Sequence, residues 1–223
     1  MPSRLRPVTS VAADAILVGD PGRALMLAQA LLEQPKMSHH ARGLWGYTGR
    51  TPAGAELTIQ STGIGGPSAA VVLADLAELG VRRAVRVGTC TALVADLAAG
   101  TLLDVAEAHA WGGPGGGEGS PTFPDPELAG RLSEALGEDG RAGVVASLDA
   151  FHTGGAPAPV AAGDAADMQT AALLARAGEL GLAVAAVLVV TETERGERLG
   201  DDAEQAAATR AGEAAAAVLS PST

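Results

Sequence analysis

Three features of the chain predict an α/β fold with parallel strands at its centre. The first is the stretch over residues 56–93, ELTIQSTGIGGPSAAVVLADLAELGVRRAVRVGTCTAL, in which strand, glycine-rich turn, helix and strand follow one another within about 30 residues. Leu57, Ile59, Val85 and Val87 alternate on the two strands, while Ala69, Val72, Leu73, Leu76 and Leu79 recur at helical spacing between them. Such a βαβ unit has parallel strands and a right-handed crossover. The second is the continuous apolar run over residues 182–190, which suits a strand buried on both faces. The third is a hydrophobic fraction of 47% with an aromatic fraction of only 2%, so that one large core of Ala, Val and Leu is expected. No linker divides residues 1–223, and a single domain is predicted.

Charge and cysteine content narrow the function classes. The formal net charge is -11, with scattered basic residues, which excludes a broad phosphate-backbone face and hence a nucleic-acid partner. Cys90 is the only cysteine, so there is no intrachain disulfide and a reducing compartment is expected. Neither an early apolar segment with a cleavage site nor a membrane-length apolar run is present, which predicts a soluble cytoplasmic protein without a membrane partner.

Taken in order, residues 1–13 read as a loose tail or an arm to another subunit, and residues 14–18 as a first strand. Gly19, Asp20, Pro21 and Arg23 form a strand-to-helix turn, with Asp20 as N-cap and Pro21 opening the helix that carries residues 24–32. A capped turn with a solvated arginine explains these residues as well as a ligand does. Residues 34–47 are mixed. Adjacent His39 and His40 face different ways on either regular element, and no His, Cys or Asp spacing completes a metal site, so no metal is assigned. Arg42 before Gly43 suits a loop approaching a ligand.

The turn over residues 62–68 lacks the lysine of a nucleotide phosphate-binding loop and the spacing of a dinucleotide fingerprint. Its glycines permit positive φ and close backbone approach, and Ser68 can cap the helix or bond an anion. Arg86, between Val85 and Val87, must be paired or turned to a wet crevice. An edge salt bridge and an anion site both satisfy that requirement. Residues 88–91 are expected to form a small-residue turn in which Thr89 offers a hydroxyl and an N–H to an oxyanion, while Cys90 packs.

Residues 96–111 turn into another strand, residues 112–126 form a Gly/Pro-rich loop that is either a mobile segment or an insertion, and a helix and a strand are expected over 126–136 and 142–147. Phe151 lies past that strand end, where ring stacking and core packing are both open readings. His152 either closes over a ligand or caps a loop. After a Pro/Ala/Gly loop over residues 153–163, Asp167, Met168 and Gln169 lead into a helix ending at Leu180. Thr191 and Glu192 follow the last strand, where Glu192 either faces the same crevice as Thr89 or belongs to a surface acidic loop. Residues 202–219 form a terminal Ala-rich helix.

Several pieces recur here in a familiar order: Val18-Gly19-Asp20-Pro21 with Arg23, Arg42-Gly43 before Gly46-Tyr47-Thr48-Gly49, Gly63-Ile64-Gly65-Gly66-Pro67-Ser68, and Val85-Arg86-Val87-Gly88-Thr89-Cys90. Ser147-Leu148-Asp149-Ala150-Phe151, Asp167-Met168-Gln169 and Val190-Thr191-Glu192 complete the set. Together they resemble the nucleoside phosphorylase family, which includes the hexameric purine nucleoside phosphorylases and the uridine phosphorylases. The resemblance implies a phosphorylase/hydrolase-like three-layer αβα fold with a central, mostly parallel mixed sheet. It further implies phosphate-dependent cleavage of a nucleoside, purine or purine-like, to free base and ribose 1-phosphate. Inorganic phosphate is then a co-substrate, and no cofactor is expected.

By the same resemblance Gly19, Arg23, Arg86 and Thr89 hold phosphate, with Arg42 reaching in from the neighbouring subunit of a dimer. A trimer of such dimers, a homohexamer, is implied. Met168 packs on the ribose, Gln169 meets its hydroxyls, Phe151 stacks near the base, and Thr91 and Asp167 border it. Glu192 joins Arg86 as a catalytic residue, standing where purine-specific relatives protonate N7 with an aspartate. The chain departs from the family pattern in having Gln169 for a glutamate, Glu192 for that aspartate, Thr91 for a glycine, and Gln205 where an arginine supports the acid. Residues 153–163 lack the glutamine and arginine with which uridine-type relatives read uracil. A nucleoside hydrolase of the same family and a non-catalytic nucleoside- or phosphate-binding homologue are the alternatives.

Overall fold

The computed structural model describes residues 4–112, 117–155 and 163–220. In chain order the elements are β1 (Asp14–Val18), α1 (Pro21–Leu31), β2 (Glu33–His39), β3 (Gly46–Arg50), β4 (Glu56–Ser61), α2 (Gly66–Glu78), β5 (Arg83–Ala92), β6 (Leu102–Gly112), β7 (Gly117–Thr122), α3 (Pro126–Leu136), β8 (Gly140–Leu148), β9 (Ala165–Asp167), α4 (Thr170–Leu180), β10 (Ala183–Glu192) and α5 (Asp201–Leu219). Asp20 caps α1 by accepting from the Arg23 N–H, with Pro21 in its first turn, as read from the sequence.

β5 is the strand on which the sheet turns. Its first half runs parallel to β1, from Arg83 beside Asp14 to Arg86 beside Leu17, and its other edge runs parallel to β10 from Arg83 to Thr91. Past the end of β1, Thr91 and Ala92 take β9 as an antiparallel neighbour. From β10 the pairing continues through β6, β8 and β9 back to β5, so five strands close a ring, while β1, β4, β3 and β2 extend it as an open sheet. β4 and β5 of the predicted βαβ unit are parallel but not adjacent, because β1 lies between them.

Helices cover both faces. One apolar cluster joins Ala69, Val72, Leu73 and Leu76 of α2 and Leu173, Leu174 and Ala177 of α4 to Ala84, Val184 and Leu188 of the sheet. The other joins Leu27 of α1, Leu132 of α3 and Ala207, Ala211 and Ala215 of α5 to Ile16, Val85, Val87 and Val187. The Ala-rich terminal helix is thus a packing layer. Small side chains let it lie close to the sheet without aromatic filler.

Three expectations are corrected. Residues 88–91 are not a turn, since β5 runs on to Ala92 with β10 and then β9 supplying ladder partners. Residues 117–122 of the supposed Gly/Pro-rich loop form β7, paired antiparallel with β6, and residues 113–116 lie outside the described residues. The N-terminal segment is no loose tail, because Leu5 is buried and the Arg4 and Leu5 N–H groups donate to Asp75 of the same chain's α2. Among the described residues no helix is long and apolar enough to cross a membrane.

Leu73 is fully buried between α2 and the sheet. Leu73→Ala is expected to cost about 2–5 kcal/mol, read as a lower urea midpoint with an unchanged denaturant slope.

Candidate active site

The chain ends of β1, β4 and β5 open into one cleft of about 580 Å³, within the range of small-molecule sites. Gly19, Asp20 and Arg23 approach it after β1, Gly63, Ile64 and Gly65 after β4, and Arg86, Gly88, Thr89, Cys90 and Thr91 line it from β5 itself. Asp167, Met168 and Gln169 close it ahead of α4, with Phe151 and His152 at the mouth and Thr191 from β10. Gly63 and Gly65 hold φ of +75° and +83°, and a Cβ on Gly63 would stand 2.8 Å from Ser68 Oγ, so the turn between β4 and α2 requires glycine at these positions.

Arg86 is the centre of the wall. Its Nε donates to Thr170 Oγ1 at 3.1 Å, Nη1 to Gln169 Oε1 at 2.7 Å and Nη2 to Asp167 Oδ2 at 3.0 Å. Burial pulls the guanidinium below its ordinary pKa, and Asp167 pulls it back. Two residues on, Gly88 makes room. A Cβ there would sit 2.6 Å from Arg86 Nη2 and 2.7 Å from Leu188 Cδ2.

Asp167 is held from several directions, accepting from Ser147 Oγ, the Thr170 N–H and Thr170 Oγ1 as well as from Arg86. Arg23 hydrogen-bonds through Nη2 to Glu204 Oε1 of α5 at 2.7 Å, and its side chain is 14% exposed. Burial pushes the Cys90 thiol up, with Asp167 acting in the same direction, so it stays a neutral packed group and not a nucleophile.

The model of the phosphorylase superfamily matches residues 14–222. The chain belongs to that superfamily. Among curated relatives, a DeoD-type purine nucleoside phosphorylase of Oceanobacillus iheyensis is 42% identical over 87 residues, or 38% of this chain and 37% of the relative. One from Clostridium perfringens is 35% identical over 100 residues, 44% of this chain and 42% of the relative. The matches therefore span less than half of these relatives. Over the whole fold, a purine nucleoside phosphorylase from Toxoplasma gondii in complex with immucillin-H superposes with a TM-score of 0.81 at 24% identity, covering 93% of this chain and 91% of the other. A uridine phosphorylase of the oomycete Phytophthora capsici gives 0.82 at 18% identity, covering 97% and 93%. These structures share the superfamily's three-layer α/β fold.

Nine of the eleven residues assigned to the superfamily site by sequence line the cleft: Gly19, Arg23, Arg86, Thr89, Thr91, Phe151, Asp167, Met168 and Gln169. Arg42 does not. It is exposed on the short helical turn before β3, with an unusual left-handed backbone of φ 61° and ψ 17°. Glu192 also does not, being buried with its carboxylate accepting from the Gly154 N–H at 3.0 Å and paired with Arg198 at 3.4 Å. Together with the Gly155 N–H donating to the Glu194 carbonyl, these bonds fasten the Phe151–Gly155 loop to the end of β10.

Sequence reading did not assign the inner partners Ser147, Thr170, Thr62 and Glu204. The available signal was electrostatic: an arginine inside a central strand demands a buried carboxylate, and that carboxylate demands donors. Asp167, read as bordering the base, is that counterion. Asp167→Ala strands a buried guanidinium and is expected to lower stability by about 3–5 kcal/mol by urea unfolding, whereas Ser147→Ala removes one neutral donor and costs about 1–3 kcal/mol.

Proposed function

We propose that the chain is a nucleoside phosphorylase that cleaves the N-glycosidic bond of a purine or purine-like nucleoside with inorganic phosphate, giving free base and ribose 1-phosphate. The observation that carries this reading is the convergence of Arg23, Arg86 and Thr89 on one cleft at the carboxyl ends of parallel strands, together with Met168 and Phe151. Guanidinium groups match a phosphate oxyanion in charge and geometry. The exposed ring of Phe151 and the half-buried Met168 suit a flat base and a sugar.

In this reading a phosphate oxygen attacks C1′ as the C1′–N bond breaks through an oxocarbenium-like state. The bonding electron pair leaves with the base, which takes up a proton. No enzyme nucleophile is needed, in keeping with the neutral Cys90. Placement of the dianion beside C1′ and stabilisation of separated charge supply the catalysis. Glu192 is the acid nearest in sequence register, beside Thr91, but proton donation by it requires its carboxyl to leave Gly154 and Arg198. Its role in the described geometry is to hold the Phe151–Gly155 loop in place.

Arg42 enters as a residue donated to a neighbouring copy, so the working unit is at least a dimer and, by family analogy, a trimer of dimers in the cytoplasm. Its exposure and its uncommon backbone angles support this, because non-glycine residues in the left-handed region concentrate at functional sites.

The test is to incubate the purified protein with adenosine, guanosine, inosine and uridine, with and without phosphate, and to identify the sugar product. Ribose 1-phosphate formed only with phosphate is expected, and purines should exceed uridine. Free ribose without phosphate would mean hydrolysis, and saturable binding without turnover would mean a binding protein. Arg42→Ala is expected to raise the KM for phosphate by about tenfold or more through loss of a charge-assisted bond, without altering the thermal midpoint of the isolated chain.

A further inference from the structure

Gln169 sits just before α4, is 4% exposed, and uses both ends of its amide inside the protein. Its Oε1 accepts from Arg86 Nη1 at 2.7 Å and lies 3.2 Å from Thr62 Oγ1. Its Nε2 donates to the Gly63 carbonyl at 2.5 Å and faces the Gly65 carbonyl at 3.4 Å. The orientation has only one chemically consistent solution. Guanidinium has no acceptor and a carbonyl has no donor, so turning the amide over would set N–H against N–H on one side and oxygen against oxygen on the other.

We propose that Gln169 is a positioning residue: its amide ties Arg86 on one wall of the cleft to the Gly63–Gly65 turn on the other, fixing the anion-binding face, and it does not clamp the sugar hydroxyls. The inference deepens the phosphorolysis reading and rests on it. A further observation favours the amide over a carboxylate in this chain: a carboxylate would aim an anionic oxygen at the two turn carbonyls that Nε2 now faces.

The experiment compares wild type, Gln169→Met and Gln169→Glu in phosphorolysis of inosine and 2′-deoxyinosine, with inorganic phosphate binding measured in parallel by calorimetry. Wild type is expected to handle the two nucleosides within about threefold of each other, since no charged group reads the 2′-hydroxyl. Gln169→Met, which keeps the size and loses the bonds, is expected to raise the KM and the dissociation constant for phosphate by about tenfold, equally for both nucleosides. Gln169→Glu is expected to weaken phosphate at least as much. A gain in kcat/KM for inosine alone in Gln169→Glu, or an unchanged phosphate constant in Gln169→Met, would overturn the proposal. Should neither variant fold, a wild-type preference for inosine above about tenfold would overturn it and near parity would support it. The phosphorolysis reading fails separately, by absence of ribose 1-phosphate, while calorimetry still reports whether Gln169 governs phosphate.

Discussion

A charged arginine inside a parallel strand is the constraint that orders this molecule. Arg86 belongs to β5, which has neighbours on both edges, and it is nearly buried where it lines the cleft. Burying such a charge costs several kcal/mol unless it is paired and fully hydrogen-bonded. Asp167, Gln169 and Thr170, three of the four residues at the junction of β9 and α4, meet that demand. The junction is in turn held by Ser147 at the end of β8, so the ring of strands and the electrostatics of the cleft are one system.

The same requirement explains small residues that otherwise look incidental. Gly88 is bare because the Arg86 side chain folds over it, and the glycines of the turn after β4 let carbonyls face the Gln169 amide. Cys90, enclosed and neutral, adds no competing charge. An acidic protein thereby keeps two guanidinium groups at one cleft, because local geometry and not the overall sum of charges decides which groups meet there.

Much of this architecture was readable from residue patterns. The strand and helix of the βαβ unit, the Asp20-Pro21 helix start and the buried last strand followed from periodicity and capping, which are local properties. What escaped was non-local. Whether residues 88–91 turn or continue as strand depends on β9 and β10, which lie more than seventy residues away, and the pairing of β7 with β6 likewise depends on partners rather than propensity. For the site, the motif order located the cleft residues, but it could not tell that Glu192 turns toward Gly154 and Arg198, or that Asp167 neutralises Arg86, since both depend on which donors the fold brings within reach.

Each guanidinium of the cleft is matched to a carboxylate of the chain itself, Arg23 to Glu204 and Arg86 to Asp167. Affinity for an incoming anion is consequently a difference between two pairings and not the full strength of either. Under the proposed phosphorolysis, phosphate has to compete with the resident carboxylates for both guanidinium groups, and a tetrahedral dianion, with its several acceptor oxygens, is better equipped for that competition than a monovalent ion.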